Sequence, residues 1–385
     1  MIQGKTILIL GGGIGGVVAA SQLRRALSRE HRIVLVEQAA THLFQPSLLW
    51  LMLGLRAPGQ ISRPYTALAR RGIELVCGRV ERIDPARRAV IMDGKELSAD
   101  YLIVALGAEL APETVPGLTE AGHNLYSLAG AEAIRDARLG LTQGRIAVLV
   151  SAMPFKCPAA PYEAAMLLEW DCRRRGLRDR VHIDLYSPEP GPMPVAGPEA
   201  SAQVRAMVEQ KGIGYHPQQK VASVDPIARR IHFDSGVSAD FDLLVYVPPH
   251  RAPEAMRAAG LCGDSGWVAV DRATLATPFP GVYAIGDVTG IPLAIGKPLP
   301  KAGVLAHGQA EVVAHNIAAE ITGAGTMMSF QGEGACFIEA GDGQAGFGSG
   351  NFYAEPAPRM KLRSAGRLLH WGKVAYEKYW LYKWF

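Results

Sequence analysis

Apolar runs and helical patterns alternate along the first part of the chain. Lys5–Leu10 and Arg32–Val36 are short apolar runs, and Val17–Leu27 between them has a helical pattern. A continuous apolar run is typical of a buried strand, and two such runs joined by a helix are typical of a parallel βαβ unit. The pattern predicts an α/β fold that begins with a strand, a helix and a second strand.

A glycine-rich turn lies between the first predicted strand and the first predicted helix. Gly11, Gly13 and Gly16 form the pattern G-x-G-x-x-G, and Glu37 closes the second apolar run. Such glycines allow a tight bend, a close approach to a pyrophosphate and close helix packing, while the helix N-terminus favours phosphates. A purely structural turn is the alternative, but the order of strand, turn, helix, strand and acid favours a dinucleotide site. We expect the cofactor to contact Gly11, Gly13, Ile14, Gly15, Gly16, Glu37 and Val80.

Two later segments indicate which dinucleotide is bound. Tyr101–Gly107 is an apolar run that ends in a glycine turn, and Thr277–Asp287 ends on the pair Gly286-Asp287. Together with the first glycine turn, these segments resemble the FAD-binding half of flavoproteins that have two dinucleotide-binding domains. The resemblance implies that Gly107 lies at the cofactor and that Asp287 binds the ribityl chain of FAD. An ordinary turn at the end of a strand is the alternative for Asp287.

The middle of the chain contains another apolar run, but no glycine turn follows it. Arg145–Val150 has the position expected for the first strand of a second dinucleotide-binding domain. The following segment, Ser151–Glu163, reads S-A-M-P-F-K-C-P-A-A-P-Y-E. Prolines and bulky side chains keep a pyrophosphate away from the backbone N–H groups, which glycines would expose. NADH binding is therefore disfavoured here, and Cys157 lies in the segment instead.

Four motifs resemble one group of flavoproteins. They are P-F-K-C-P-A-A-P-Y-E (Pro154–Glu163), V-P-P-H-R-A-P (Val247–Pro253), G-W-V-A-V-D (Gly266–Asp271) and P-K-A-G (Pro300–Gly303). In combination they resemble the sulfide:quinone oxidoreductases and the flavoprotein of flavocytochrome c sulfide dehydrogenase. The resemblance implies two Rossmann-like domains: a discontinuous FAD-binding domain (1–112 and 265–325), and a second domain (113–264) without the glycine pattern. Residues 326–385 are then a region with a redox cysteine and a membrane-docking segment.

The same resemblance implies a chemistry. Cys157, by its motif, and Cys336, in G-A-C-F after a long predicted helix, correspond to two cysteines that oxidise sulfide to zero-valent sulfur or polysulfide. Electrons would pass through FAD to a membrane quinone, and Glu163 corresponds to a glutamate proposed as an acid/base. Lys301 precedes the helical stretch Gly303–Ile321. Since a cation and a helix N-terminus suit an anionic reduced flavin, we expect Lys301 to contact the cofactor and assist catalysis.

The sequence departs from these relatives at two places. Many sulfide:quinone oxidoreductases carry a third cysteine in a segment that here is Tyr126–Ala133, and the cytochrome-linked family attaches FAD to an early cysteine, which Glu37–Leu55 lacks. We therefore expect two-cysteine chemistry and non-covalent FAD. A cation beside a thiol favours the thiolate, so Lys156 is expected to act on Cys157 in this way. Small buried structural residues are expected at the other cysteines, namely Cys77, Cys172 and Cys262.

Two alternatives to this function stay open. The segment His42–Pro46 (H-L-F-Q-P) also resembles type II NADH:quinone oxidoreductases, although the missing second glycine turn counts against that reaction. The other alternative is a non-catalytic, membrane-bound flavoprotein that senses redox state through the same cysteines. Steady turnover with sulfide and quinone would distinguish an enzyme from a sensor.

Composition and charge limit the remaining classes. Of the 385 residues 49% are hydrophobic and five are cysteine, which fits a chain with large cores rather than a disulfide scaffold. The net charge is +4, but Arg359–Phe385 alone holds seven Lys or Arg and one acid. The rest of the chain is therefore slightly acidic, so a nucleic-acid partner is not expected. We expect no metal site, and a homo-oligomer is left open.

The C-terminal stretch indicates a membrane surface as a partner. Seven of the 16 residues of His370–Phe385 are aromatic, and Trp and Tyr are typical of membrane interfaces; packing onto the body or a dimer partner is the alternative. The longest strongly apolar run, Ser47–Leu55, is far shorter than the ~20 residues of a spanning helix. We expect a peripheral, monotopic protein without a signal peptide, and a fold that survives removal of the residues after about Ala365. Docking on the cytoplasmic face would involve Trp371, Trp380 and Trp384.

Overall fold

The computed structural model describes residues 4–385 and begins with alternating strands and helices. The helices up to residue 112 are α1 (Ile14–Ala26), α2 (Leu48–Leu51), α3 (Pro58–Ile61) and α4 (Thr66–Ala69). The strands in the same stretch are β1 (Thr6–Leu10), β2 (Arg32–Glu37), β3 (Thr41–Leu43), β4 (Ser62–Pro64), β5 (Glu74–Cys77), β6 (Val80–Asp84), β7 (Ala89–Met92), β8 (Lys95–Ser98), β9 (Tyr101–Val104) and β10 (Glu109–Leu110).

The middle stretch, residues 113–264, repeats the alternation. Its helices are α5 (Leu118–Ala121), α6 (Leu128–Gly140), α7 (Ala160–Arg174), α8 (Pro198–Glu209) and α9 (Glu254–Ala258). Its strands are β11 (His123–Asn124), β12 (Gly144–Val150), β13 (Val181–Tyr186), β14 (Gly214–His216), β15 (Val221–Asp225), β16 (Arg230–Phe233), β17 (Ser238–Asp240), β18 (Leu243–Val247) and β19 (His250–Arg251).

The remaining residues return to the first sheet and then form a third one. Their helices are α10 (Gly303–Thr322) and α11 (Arg367–Trp384). Their strands are β20 (Val282–Ala284), β21 (Glu333–Gly341), β22 (Gln344–Asn351) and β23 (Arg359–Gly366). Short 3₁₀ turns cover Gln45–Ser47, Pro112–Thr114, Pro194–Ala196 and Gly286–Val288.

The first sheet is parallel and discontinuous in sequence. Its strand order is β20-β9-β1-β2-β5. α1 packs against α10, and the apolar residues of both helices share one core with Ile7 and Ile9 of β1. Because the strands are parallel, the ends of β1, β2, β9 and β20 lie at one edge, where ligands bind in such sheets. The glycine turn and Asp287 follow two of these strands.

The second sheet has the same architecture. Its order is β11-β18-β12-β13-β14, and every pairing is parallel. α7 packs on it with Tyr162, Ala164 and Met166 fully buried. β12 ends at Val150, so the loop that carries Cys157 lies at the carboxyl edge of this sheet. The predicted α/β fold with two Rossmann-like sheets is confirmed.

Small antiparallel sheets connect and extend the two halves. β10 pairs with β19, and the pairs or triplets β3–β4, β6–β7–β8 and β15–β16–β17 flank the parallel sheets. β21, β22 and β23 form the third sheet, whose residues Ile338 and Ala340 enter the core of the second sheet. This packing against α7 brings Cys336, on β21, towards Cys157.

One side of α11 belongs to the protein core. Trp380 and Trp384 are 1% and 0% exposed and pack into the core of the first sheet. The prediction that both tryptophans face a membrane is therefore wrong; their side chains fill the space beside α1 and Phe44 instead. The expectation that the residues after Ala365 can be removed without loss of the fold is contradicted by the same burial. None of the helices in residues 4–385 is both long and apolar enough to span a membrane.

Candidate active site

At two positions of the turn after β1, close backbone contacts leave no room for any residue except glycine. Gly11 has a φ of +97°, and a Cβ atom on it would lie 2.4 Å from the Ala105 carbonyl oxygen. A Cβ atom on Gly16 would lie 1.8 Å from the Gly11 carbonyl oxygen. Around a Cβ atom on Gly13, just before α1, no atom of the described residues lies within 4 Å. The start of α1 is therefore open, and its N–H groups attract phosphate.

Glu37 holds the same turn in shape. The Gly12 N–H donates to Glu37 Oε2 at 2.7 Å, and the Ala39 N–H donates to Oε1 at 2.8 Å. The Gly78 N–H donates to the Glu37 carbonyl oxygen at 3.1 Å. Because β6 begins with Val80, two residues after Gly78, this predicted cofactor contact lies near the same sheet edge as Glu37.

The N-terminus of α10 meets the N-terminus of α1. A Cβ atom on Gly303 would lie 2.5 Å from Ile14 Cδ1, and one on Gly15 would lie 3.2 Å from Ile285 Cδ1. The two helix ends, each with a partial positive charge, therefore lie beside the turn that carries Asp287. Gly107, with a φ of +69°, follows β9 at the same edge.

Two side chains that the sequence did not single out hold the Gly12 carbonyl group. The Tyr65 hydroxyl donates to this oxygen at 2.6 Å, and Nδ1 of His42 lies 3.0 Å from it. Burial lowers the pKa of His42 to about 4, so its ring is neutral and stacks on Trp380 with centroids 4.8 Å apart. The H-L-F-Q-P motif contains this histidine and was the only signal for it.

Asp287 lies between two lysines. The Lys301 ammonium donates to the carbonyl oxygens of Asp287 (2.6 Å) and Thr289 (3.0 Å) and lies 3.3 Å from the Trp267 ring centroid. Burial lowers the pKa of Lys301 to about 7, although the Asp287 charge raises it. Desolvation raises the pKa of the Asp287 carboxyl, and the charges of Lys156 and Lys301 oppose that shift. These groups lie where the sequence predicts the ribityl chain.

The Cys157 loop is tied to this lysine segment. The Cys157 N–H donates to the Lys301 carbonyl oxygen at 2.7 Å, and the Cys157 carbonyl oxygen accepts from the Ala160 N–H at 2.9 Å. The buried Tyr126 hydroxyl donates to the carbonyl oxygen of Lys156 at 2.6 Å. Cys157 has a φ of +50°, a strained conformation of the kind found at functional sites. Tyr126 begins the segment Tyr126–Ala133, which contains no cysteine.

Cys157 and Cys336 are electrostatically coupled. Both are free thiols, and the pKa of Cys157 is raised well above its ordinary value by desolvation, then by the Cys336 and Glu163 charges. Desolvation and the Glu163 charge raise the pKa of the Cys336 thiol to about 12, although the residue as a whole is exposed. Such a thiol is accessible to a small molecule but surrounded by little bulk water. The expectation that Lys156 keeps Cys157 as thiolate is therefore wrong, because desolvation outweighs the cation.

A buried ion cluster lies beside the two thiols. Glu163 Oε1 accepts from the Lys373 ammonium and from the Glu339 N–H, both at 2.8 Å. The Glu339 carboxylate is 3.1 Å from Nδ1 of His370. Lys373 lowers the pKa of both cysteines. Glu163 is 2% exposed, so it is a core residue and not a solvated acid at a helix start; Lys373, Glu339 and His370 were missed by the sequence analysis.

The corresponding loop in the second sheet is filled by its own side chains. Phe155 and Tyr162 are buried, and the Tyr162 hydroxyl donates to Glu189 at 2.6 Å. The hydroxyl of Ser187 also donates to Glu189, at 3.0 Å, and burial raises the pKa of this carboxyl to about 7. Side chains thus take the space that a glycine turn leaves for a pyrophosphate.

The other cysteines are not in this cluster. Cys172 is buried on α7 and Cys262 is half-buried. Cys77 is exposed at the end of β5, so the expectation that it is a buried structural residue is wrong. It follows an edge strand whose side chains face solvent in part, which a short apolar run does not reveal.

The outer face of α11 is apolar and aromatic. Leu368, Trp371 and Tyr382 are 87%, 65% and 83% exposed, and Tyr379 lies between them on the same side of the helix. The buried side of α11 carries Lys373, Glu377, Trp380, Leu381 and Trp384. We call the exposed set the α11 outer face; it consists of Leu368, Trp371, Tyr379 and Tyr382.

One family covers the glycine turn, the Cys157 loop and Asp287 together. The pyridine nucleotide-disulphide oxidoreductase family matches residues 5–310. The chain belongs to this family. FAD is the cofactor of such flavoproteins, and the open start of α1, the Gly11 and Gly16 contacts and Asp287 fit it.

Two relatives and one solved structure are similar to most of this chain. The sulfide-quinone reductase of Aquifex aeolicus is 28% identical over 98% of this chain and 91% of its own length. The mitochondrial sulfide:quinone oxidoreductase of Mus musculus is 28% identical over 74% of this chain and 66% of its own. The X-ray structure of the Aquifex aeolicus sulfide:quinone oxidoreductase has a TM-score of 0.89 at 25% identity and covers 99% of this chain and 91% of that one. The similarity therefore extends through the third sheet and α11.

Proposed function

We propose that the protein is a sulfide:quinone oxidoreductase, in which sulfide is oxidised at Cys157 and Cys336 and its electrons reach a membrane quinone through FAD. The observation that carries the proposal is the packing of α7 on β21, which brings Cys157 and Cys336 to the buried pair of Glu163 and Lys373; the charges of this pair act on both thiols. The similarity to proteins of that name from Aquifex aeolicus and mouse supports the same reaction. The product is zero-valent sulfur or polysulfide.

The cysteines carry the sulfur chemistry. Sulfide attacks one sulfur of a Cys157–Cys336 disulfide; the S–S bond between the cysteines breaks and a new S–S bond forms to the incoming sulfur. One cysteine becomes a persulfide and the other a thiolate, so the two electrons lost by the sulfide sulfur are held by the cysteine pair. FAD, when bound, supplies the two-electron acceptor between this pair and quinone.

Lys373 and Glu163 manage charge and protons at the pair. The pKa of each thiol is raised by desolvation, so the thiolate that leaves the disulfide needs a nearby cation or a proton. Lys373 is the buried cation that stabilises it, and Glu163, bonded to the Lys373 ammonium at 2.8 Å, is the carboxylate that exchanges protons. Glu339 and His370 extend the cluster towards the half-exposed start of α11.

The geometry of the turn after β1 supports the proposed cofactor site. Gly11, Gly13 and Gly16 would hold the pyrophosphate at the start of α1, and Glu37 would hold a ribose. Asp287 would bind the ribityl chain, and Lys301 would keep a proton or positive charge beside it. Gly107, Val80, Ile14 and Gly15 complete the contacts, and the attachment is proposed to be non-covalent.

The α11 outer face is the proposed membrane contact of a peripheral, monotopic protein. Quinone would enter along Phe44–Leu55: the rings of Phe44 and Tyr376 have centroids 6.4 Å apart. Tyr376 is 41% exposed, and burial of its hydroxyl, followed by the Cys336 charge, raises its pKa; we propose that it lies between the surface and Cys336. The cytoplasmic face and a homo-oligomer stay predictions of the sequence.

Stopped-flow reduction of the bound flavin tests the proposal. Sulfide should bleach the flavin absorbance rapidly, and a quinone analogue should restore it over many turnovers. NADH should bleach it slowly, because side chains fill the loop around Phe155 and Tyr162. Fast, saturable bleaching by NADH would favour the NADH:quinone reaction instead, and a single bleaching event without turnover would favour a redox sensor.

A further inference from the structure

A second concave site lies between α1, α4 and α11. Its volume is about 810 Å³, within the range of sites that bind small molecules. We call it the basic groove. Its floor is apolar, with Ile73, Leu381 and Phe385, while its polar lining is strongly basic. The basic residues are Arg24, Arg25, Arg63, Arg71 and Lys383.

These cations have no counter-charge. In residues 4–385 no carboxylate lies within salt-bridge distance of any of the five, and none of the lining residues is acidic. Arg63 and Arg71 donate only to the carbonyl oxygens of Ser62 and Lys383, both at 2.8 Å. The Lys383 ammonium lies over the Trp384 ring, 4.8 Å from its centroid. Unpaired like charges repel one another, so a bound anion offsets that repulsion.

Ser21 adds an independent sign of a ligand. Its residue is 4% exposed and lines the groove from α1, and its hydroxyl oxygen has no hydrogen-bond partner among the described residues. A buried hydroxyl without a partner costs free energy. A phosphate oxygen in the groove would accept its hydrogen bond, and the arginine guanidinium groups suit phosphate for the same reason.

The groove is separate from the cofactor site. Arg24 and Arg25 lie in the last turn of α1, whereas Gly11 and Gly13 precede the helix and Gly16 lies in its first turn. Arg24 lies about 15 Å along α1 from Ile14, at 1.5 Å per residue, so the cations at the end of this helix lie away from the place of the FAD pyrophosphate.

The groove opens beside the α11 outer face. Tyr379 and Tyr382 belong to both: they line the groove and face solvent. We propose that the basic groove binds the phosphate of an anionic phospholipid headgroup while these tyrosines enter the bilayer interface. The inference rests on the membrane docking proposed above. Arg24, like Arg63 and Arg71, already donates to backbone carbonyl oxygens, so what the five cations lack is a negative charge. A neutral quinone does not supply one, and a soluble anion gives no reason for exposed tyrosines at the rim.

Vesicle binding by the full-length holoenzyme tests the inference. The vesicles are phosphatidylcholine alone, or phosphatidylcholine in which about a third of the lipid is phosphatidylglycerol. Each basic residue at an anionic surface contributes about fivefold in affinity. The double variant Arg63→Gln and Lys383→Gln should therefore bind the anionic vesicles about 25-fold more weakly, bind phosphatidylcholine as before and keep its flavin. Ser21→Ala should lower the preference for anionic vesicles in the same direction, by a few-fold.

The matched control removes the same charge elsewhere. Arg82→Gln with Lys95→Gln changes two exposed cations on the β6–β7–β8 sheet and should leave both affinities unchanged. An equal loss in this control, or unchanged binding in the groove variant, would overturn the inference. So would inorganic phosphate raising the melting temperature as much as anionic vesicles do. Turnover of sulfide and quinone without vesicle binding would contradict the lipid site but not the proposed function. Vesicle binding without turnover would contradict the proposed function but not the lipid site.

Discussion

The two parallel sheets carry the same connection, a strand followed by a loop and a helix, and use it in opposite ways. After β1, Gly11 packs against the Ala105 backbone and Gly16 packs against the Gly11 backbone. The space around Gly13, at the start of α1, stays free of side chains. After β12, Phe155 and Tyr162 fill the equivalent space, and Cys157 is held there in a left-handed conformation.

The difference teaches how one architecture serves two partners in a single reaction. Where the loop has no side chains, helix N–H groups are available to the phosphates of a dinucleotide. Where side chains fill the loop, as after β12, the backbone N–H groups are not available to a phosphate. This loop instead carries a nucleophilic side chain, the Cys157 thiol. The Lys301 carbonyl group, which accepts from Cys157 at 2.7 Å, ties the two sites together. Six substitutions, in four experiments with their controls, test this contrast.

The largest effect is expected from the loop of the second sheet. Cys157→Ser and Cys336→Ser should each retain FAD but lose sulfide-driven flavin reduction by about 10³-fold or more, because a serine cannot form a persulfide. The double variant should be little worse than either single one, since the pair acts as a unit. Cys262→Ser should keep nearly full turnover. Substantial turnover in Cys157→Ser would remove the proposed role of this loop.

The glycine loop should fail in a different way. Gly16→Ala forces a Cβ atom against the Gly11 carbonyl oxygen, 1.8 Å away in the native structure, and such overpacking costs up to about 3 kcal/mol. FAD affinity, measured by fluorescence titration of the apoprotein, should fall about 100-fold. Gly140→Ala, at a position with no described atom within 4 Å, is the control and should bind FAD normally. Equal affinities would show that the close contact is dispensable.

A smaller effect is expected from the two charged residues beside the thiols, which shift the pKa of Cys336 in opposite directions. Glu163 raises the pKa of Cys336 and Lys373 lowers it, so Glu163→Gln should lower that pKa and Lys373→Met should raise it. With a shift of about one unit each, alkylation of the reduced protein at pH near 8 should be about tenfold faster in the first variant and tenfold slower in the second. Lys361→Gln, at an exposed position on β23, serves as the reference. Shifts in the same direction would contradict the assigned charges.

The last prediction concerns folding stability and the support of the glycine turn. The pKa of His42 is lowered from 6.5 to about 4 by burial, so between these pH values the unfolded chain binds more protons than the folded one. The stability contributed by neutral His42 is present above about pH 6.5 and is lost as the pH falls to 4, by roughly 3 kcal/mol. Urea unfolding of His42→Gln across this range should lack that loss. His182→Gln, exposed on β13, should keep it.

Local patterns were sufficient for the parts of the site that depend on neighbours in sequence. The glycine turn, Glu37 and Asp287 follow from a strand, a bend and a helix start, so their positions could be predicted. The absence of glycine after Val150 also predicted a loop closed to a pyrophosphate. In each instance the physical requirement lies within a few residues of the chain.

Features that depend on distant packing could not be predicted. Lys373 meets Glu163 only because α11 packs on the third sheet and α7 packs beneath it, and no spacing along the chain encodes that contact. Trp380 and Trp384 lie in an aromatic segment whose composition is typical of a membrane anchor. They are core residues because α11 packs beside α1, and the sequence does not show this contact. The direction of the thiol pKa values was wrong for the same reason, since desolvation is a property of the assembled site.

The burial of Trp380 and Trp384 also determines when the core of the first sheet can fold during synthesis of the chain. Domains generally form as the chain emerges, with the N-terminal part first. Here the core around β1 and α1, made first, includes side chains from α11, so it cannot close until nearly all of the 385 residues have been synthesised. The glycine turn is contacted by His42, which stacks on Trp380, so this contact forms only after α11 has been translated. We therefore expect FAD to bind late, after synthesis of α11.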